Sequence, residues 1–114
     1  MDKRVLDNLG LLQKRLNVCK AVANSTRLHI LDLLREGEKC VCELLPLLEL
    51  EQSNVSQHLN ILKNAGILTS RKEGQHVLYK ARNEKIFDLI DALDALLVSE
   101  LEEASELLKS MGGR

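Results

Sequence analysis

Through the last third of the chain, Ile86, Ile90, Leu93, Leu97, Leu101, Ala104 and Leu108 recur at spacings of three and four. That period lays an apolar stripe along one face of a helix running from about Asn83 to Met111. The stripe is too long for one small core to cover, because a chain of 114 residues buries only about two-thirds of its unfolded surface. Val5, Leu9, Leu12, Leu16, Cys19 and Ala23 repeat the rhythm near the start, the seam of a helix packed along another helix. These segments, 1–23 and 83–111, are expected to be terminal dimerisation helices, with packing inside one chain as the plainer alternative.

Between them the elements are short. Ser25 is placed to cap a helix carrying Leu28, Ile30, Leu31 and Leu34, and Gly37 to end it. A brief helix with Leu44, Leu45, Leu47 and Leu48 should begin near Cys42 or Glu43, since Pro46 belongs in about the first turn. A turn at Glu49-Leu50-Glu51 leads to a helix ending at Gly66, with Val55, Leu59 and Leu62 on one side. Ile67–Lys72 and His76–Ala81 then read as two strands joined by Glu73-Gly74-Gln75. The expected fold is mainly α with a β-hairpin wing. It is a single winged helix-turn-helix domain over 1–114, with the helix-turn-helix at 43–66 and the wing at 67–82. Tyr79 and Phe87 are the only aromatic residues, so the core must be aliphatic. Gly112-Gly113-Arg114 is expected to fray.

No apolar run approaches the ~20 residues of a membrane span, and the first residues lack the apolar stretch of a secretory signal. A cytoplasmic location without membrane association is expected. In that reducing compartment Cys19, Cys40 and Cys42 point to metal or redox chemistry rather than to a structural disulfide.

Net charge is −1, but it is unevenly spread. Residues 51–85 hold six basic and three acidic side chains, whereas 86–114 hold two basic and seven acidic. The mildly basic segment contains the polar helix that begins at Gln52. That helix leaves Gln52, Ser53, Asn54, Ser56, Gln57, His58, Asn60 and Lys63 on its outer faces. Amides can pair with adenine edges, while hydroxyls and lysine can hold phosphates. In a helix-turn-helix the N-terminal half of the second helix enters the major groove, which favours Ser53, Asn54, Ser56 and Gln57. Arg71, Lys72 and His76 lie on the hairpin, where a wing meets the neighbouring backbone. The plainer reading is a solvated helix face.

Cys40-Val41-Cys42, centred eleven residues before Gln52 where the polar run begins, stands at a helix entrance. The helix dipole there favours thiolate, and two thiols so close can chelate a soft ion or form a redox pair. The sequence positions of His29, His58 and His76 suggest no ligand cluster.

Several of these runs resemble the arsenic-repressor (ArsR/SmtB) family. Lys20 to Leu31 is similar to that family's opening, and Cys40-Val41-Cys42-Glu43-Leu44 to its thiol box. Ser53 to Gly66 resembles its serine–x–valine–serine–x–histidine–leucine recognition helix, and Gly74 to Tyr79 its wing. The likeness covers roughly residues 18–82. It implies a homodimeric, non-enzymatic transcriptional repressor that needs no cofactor to bind double-stranded operator DNA. Such a repressor leaves DNA when a metal or metalloid binds. Asn24-Ser25 replaces the frequent Asp-Pro, and Glu51 replaces a capping serine.

Arsenic repressors of this family often carry a third cysteine three residues after the pair, where this chain has Leu45. Cys19 is the remaining thiol, either a third ligand or a small apolar residue on its seam. As(III) or Sb(III) is the expected inducer, with Cd(II), Pb(II) or Zn(II) as alternatives. The family's zinc-type site on the last helix is absent, since Asp88 and Asp91 have no histidine beside them. The rival readings are a redox-switch repressor joining Cys19 to Cys40 or Cys42, a thiol-disulfide enzyme, and a dimeric module that no longer reads DNA. The enzyme reading lacks the strand-first α/β order of thioredoxin-like proteins.

Overall fold

The computed structural model describes residues 2–8 and 10–112. Leu9, expected on the first seam, and Gly113-Arg114, expected to fray, lie outside them. The chain divides into two units, residues 1–83 and 84–114. The first holds α1 (Lys3–Asn8), α2 (Leu11–Val22), α3 (Ser25–Leu33), a 3-10 turn (Leu34–Glu36) and β1 (Lys39–Cys40). It continues with α4 (Val41–Leu48), α5 (Gln52–Asn64), β2 (Leu68–Glu73) and β3 (His76–Ala81). The second is α6 (Lys85–Gly112).

The one N-terminal helix expected through Ala23 is two. Gly10 adopts φ 67° and ψ 30°, a left-handed conformation that a right-handed helix cannot pass through. The seam also faces outward: Val5, Leu12, Leu16 and Cys19 are exposed, while Ala21 is buried and Val18 and Val22 half-buried. Cys19 is thus exposed within the single chain.

At α3 the cap is Asn24 rather than Ser25. Asn24 is extended, and its Oδ1 accepts from the Arg27 backbone N–H at 3.0 Å, satisfying a donor that the first turn leaves over. α3 tightens into the 3-10 turn and stops at Gly37, whose φ is 132°. The turn after α4 is made by Glu49, a non-glycine residue at φ 55°.

α4 starts at Val41, slightly earlier than expected, and Pro46 is its sixth residue rather than in its first turn. Proline has no N–H, so the Cys42 carbonyl receives no bond from the following turn. The α4 entrance is held instead by Glu43, whose Oε1 accepts from the Cys40 N–H at 3.1 Å.

α5 ends as its Gly66 suggests. Gly66 at φ 79° lets the Ile67 N–H reach Leu62 O and the Gly66 N–H reach Lys63 O, at 3.0 Å each. This is a Schellman closure, and its apolar partners Leu62 and Ile67 are both buried. Ile30, Leu31, Leu44, Val55, Leu59, Leu62 and Leu68 complete an aliphatic core with little or no exposure.

The wing is a hairpin in which Glu73 pairs with His76 across Gly74-Gln75, with Gly74 at φ 63°. Its strands begin and end within a residue of expectation. A third strand, β1, joins the hairpin. The sheet order is β1-β3-β2, and β1 pairs antiparallel with β3 through Lys39↔Tyr79 and Cys40↔Leu78. Two residues are too few to show a period, yet this pairing decides what stands beside the thiols.

α6 runs 28 residues without interruption. Leu97 and Leu101 on its stripe are 56% and 69% exposed, and Leu93 and Leu108 are exposed as well. Among the described residues no helix is long and apolar enough to cross a membrane.

Candidate nucleic-acid interface and thiol cleft

α4, the turn at Glu49 and α5 form a helix-turn-helix. Burying Val55, Leu59 and Leu62 turns the other faces of α5 outward, so Gln52, Ser53, Asn54, Gln57, Asn60 and Lys63 are exposed and Ser56 half-exposed. Lys63 Nζ donates to Ser70 Oγ at 2.7 Å, tying the end of α5 to β2.

His58 is placed differently from expectation. Three residues after the buried Val55, it lies on the flank of the core face, half-buried, with Nδ1 3.1 Å from Arg27 Nη1. Arg27 also donates from Nε to Ala21 O and from Nη2 to Lys20 O, so it closes the end of α2 while touching α5. Burial, and then the Arg27 charge, hold the His58 imidazole below its ordinary titration range. His58 therefore helps to hold α5 against α3 through Arg27.

The wing residues divide. Lys72 and His76 are exposed. Arg71, expected to face DNA, is exposed but paired with carboxylates of its own chain: Nη2 donates to Glu38 Oε1 at 2.7 Å, Nε to Glu38 Oε2 at 2.9 Å, and Nη2 to Glu73 Oε2 at 2.9 Å. This fork keeps the Glu38 carboxyl below the usual carboxylate range and raises the guanidinium's own pKa.

The thiol pair lies at the junction of α4 and the sheet. Cys40 is 4% exposed, Cys42 is exposed, and their Sγ atoms are joined as a disulfide with Cα atoms 5.2 Å apart. The structure pairs the two with each other, whereas the redox alternative joins one of them to Cys19. Cys19 is a free, exposed thiol on α2.

His76 is the partner that sequence spacing missed. Its Nδ1 is 3.9 Å from Cys42 Sγ, and one donor atom from each of Cys40, Cys42 and His76 lies within 4.8 Å of the others. Cys19 belongs to no such group among the described residues. A cleft of about 280 Å³ beside the three is also lined by Glu43, Glu73 and Leu78. A neighbouring cleft of about 180 Å³ adds Leu45 and Gln52, the first residue of α5. Once reduced, the pair and the imidazole form a donor set suited to a soft or borderline cation.

A polar recognition helix, its supporting α4 and a β-hairpin wing define a winged helix-turn-helix DNA-binding transcription regulator. The family described as "Bacterial regulatory protein, arsR family" matches residues 24–70. The chain is 41% identical over 85 residues to an uncharacterized HTH-type transcriptional regulator of Methanocaldococcus jannaschii, covering 74% of this chain and 96% of that one. It is 32% identical over 93 residues to the arsenical resistance operon repressor of Staphylococcus aureus, covering 82% and 89%. The solution NMR structure of a homodimeric winged helix-turn-helix DNA-binding domain from Mycobacterium bovis superposes with a TM-score of 0.76 at 30% identity, covering 90% and 93%. The chain belongs to the ArsR/SmtB family of winged-helix transcriptional regulators.

Proposed function

We propose that this chain is a homodimeric, metal- or metalloid-responsive repressor of the cytoplasm, which binds operator DNA through α5 and the wing and releases it when Cys40 and Cys42 take up an inducer. The carrying observation is that the thiols open α4 and share a cleft with Gln52, where the recognition helix begins. A ligand that draws the two sulfurs together acts at the base of the helix-turn-helix. Ser53, Asn54, Ser56 and Gln57 are the base-reading candidates, with Gln52, Asn60, Lys63, Lys72 and His76 toward the backbone. Arg71 joins them only by leaving Glu38.

The exposed apolar faces of the terminal segments, 1–23 and 83–111, support dimerisation. A dimer sets two recognition helices against half-sites about one DNA turn apart, and a small rotation between subunits spoils that match. The arsenical repressor among the relatives brings arsenite forward as the first inducer to try, with antimonite, Cd(II), Pb(II) and Zn(II) after it. Cys19 enters only if it approaches the cleft of a second subunit.

The test is fluorescence anisotropy with DNA from upstream of its own gene, under anaerobic reducing conditions. Stoichiometric release by arsenite or Cd(II), lost in Cys40→Ser, is the expected result. Binding that ignores every thiophilic ion but responds to oxidant would replace the signal. No binding at low salt would end the reading.

A further inference from the structure

We infer that His76, on the wing, is the third ligand of the Cys40–Cys42 site, and that this site of two sulfurs and one nitrogen selects a soft or borderline divalent cation such as Cd(II) or Zn(II) over a trivalent metalloid. The inference rests on the reading of Cys40 and Cys42 as ligands and goes beyond it by naming the third donor, the class of ion and the element it tethers.

The position of His76 follows from strand register. β1 pairs with β3 as Lys39↔Tyr79 and Cys40↔Leu78. Continuing that register by two residues sets Cys42 opposite His76, although the chain has by then turned into α4. Side chains two apart on a strand share a face, so His76 and Leu78 lie on the same side of β3. Glu73 pairs with His76 from the other strand. The imidazole Nδ1 thus stands 3.9 Å from the Cys42 sulfur, and Glu73 and His76 line one cleft.

The spacing suits a cation of this class. Donors about 2.0–2.3 Å from a tetrahedral ion stand roughly 3.3–3.8 Å from one another. All three donor atoms already lie within 4.8 Å, so side-chain rotation closes the site once the pair is reduced. Binding displaces two thiol protons, leaves both sulfurs as thiolates, and uses a neutral imidazole.

The surroundings separate the classes of ion. A trivalent metalloid prefers three thiolates, and the third donor here is nitrogen. Glu43 and Glu73 line the same cleft. Glu73 is answered by Arg71, so Glu43 is the carboxylate whose field attracts a divalent cation, and it gives nothing to neutral arsenous acid. A fourth position is left to water or to one of these carboxylates. The consequence is mechanical: the ion joins the start of α4 to the tip of the wing, two elements that must both fit DNA.

The experiment uses the full-length reduced protein without DNA, titrated anaerobically with Cd(II) and separately with arsenite. Sulfur-to-cadmium charge-transfer absorption and the ¹⁵N shifts of the histidine rings are followed. Cd(II) should bind one per chain and shift Nδ1 of His76 while leaving His29 and His58 unmoved. His76→Ala should weaken Cd(II) by at least the ~10–100-fold that loss of an outer-shell partner costs, and leave arsenite within about twofold. His76→Ala and His76→Gln should keep the wild-type circular dichroism, because the side chain is exposed. Loss of the absorption in Cys42→Ser with unchanged Cd(II) affinity in both His76 variants would overturn the inference and leave the thiol site standing. Cadmium absorption unaffected by Cys42→Ser would instead sink the thiol reading itself.

Discussion

The Arg27 guanidinium, in the first turn of α3, stands 3.1 Å from Nδ1 of His58 in the middle of the recognition helix. The same side chain accounts for carbonyls at the end of α2, so three helices meet on one cation. The contact needs a neutral imidazole, since a protonated ring has no lone pair to offer and repels Arg27.

That requirement makes stability pH-dependent. The folded protein holds the His58 pKa below its ordinary 6.5. As pH falls through about 6.5, the unfolded chain takes up the proton first, so stability is full above that value and declines toward the folded pKa. Urea midpoints at pH 7.5 and 5.5 should show the loss, and His58→Asn should reduce it. An equal decline in the variant would remove His58 as the cause.

Freeing Arg71 should strengthen DNA binding. Glu38→Gln together with Glu73→Gln replaces both ion pairs of Arg71 by, at most, hydrogen bonds to uncharged amides and removes two anions close to the wing. Affinity should rise, and the slope of log K against log salt should steepen by about 0.9 per released contact in each subunit. An unchanged slope in the double variant would show that Arg71 does not reach phosphate.

Glu49 pays the ordinary cost of a side chain in the left-handed region, about 1 kcal/mol or somewhat more. Glu49→Gly removes that strain but gives the unfolded chain more freedom, so the net gain should be about 0.5 kcal/mol. Equilibrium denaturation measures it, and a destabilised variant would show that Glu49 makes a compensating contact.

Leu45 occupies the position of the absent third cysteine and lines the cleft with Cys40, Cys42 and His76. Leu45→Cys should therefore supply the third thiolate and tighten arsenite binding by about tenfold or more. Competition with a small dithiol reads the change. No gain would mean that position 45 cannot turn its sulfur toward the pair.

Leu101, 69% exposed on α6, is a direct probe of the proposed dimer. Leu101→Glu should raise the dimer dissociation constant by about tenfold or more while leaving helix content unchanged. Sedimentation equilibrium decides, and an undiminished dimer would place the interface elsewhere.

The sequence by itself determined whatever is settled over a few residues. Helical period marked α3, α5 and α6, Gly66 and Gly74 marked a helix end and a hairpin turn, and the thiols were visible at the head of α4. Hydrophobic period depends on neighbours three or four apart, so it survives without knowledge of the fold. At the N-terminal seam the same spacing marked an apolar face, and Leu12, Leu16 and Cys19 lie exposed along it. The tertiary structure alone decided the pairings between distant segments. The two-residue strand β1 carries no periodic signal, yet its register against β3 brings His76 to Cys42 across 34 positions of chain. Likewise, nothing local distinguishes an arginine free to meet phosphate from Arg71, whose charge is answered by Glu38 from 33 residues away. Local order follows from backbone stereochemistry and side-chain period, whereas a site follows from which strands hydrogen-bond, and that is settled only when the whole chain has packed.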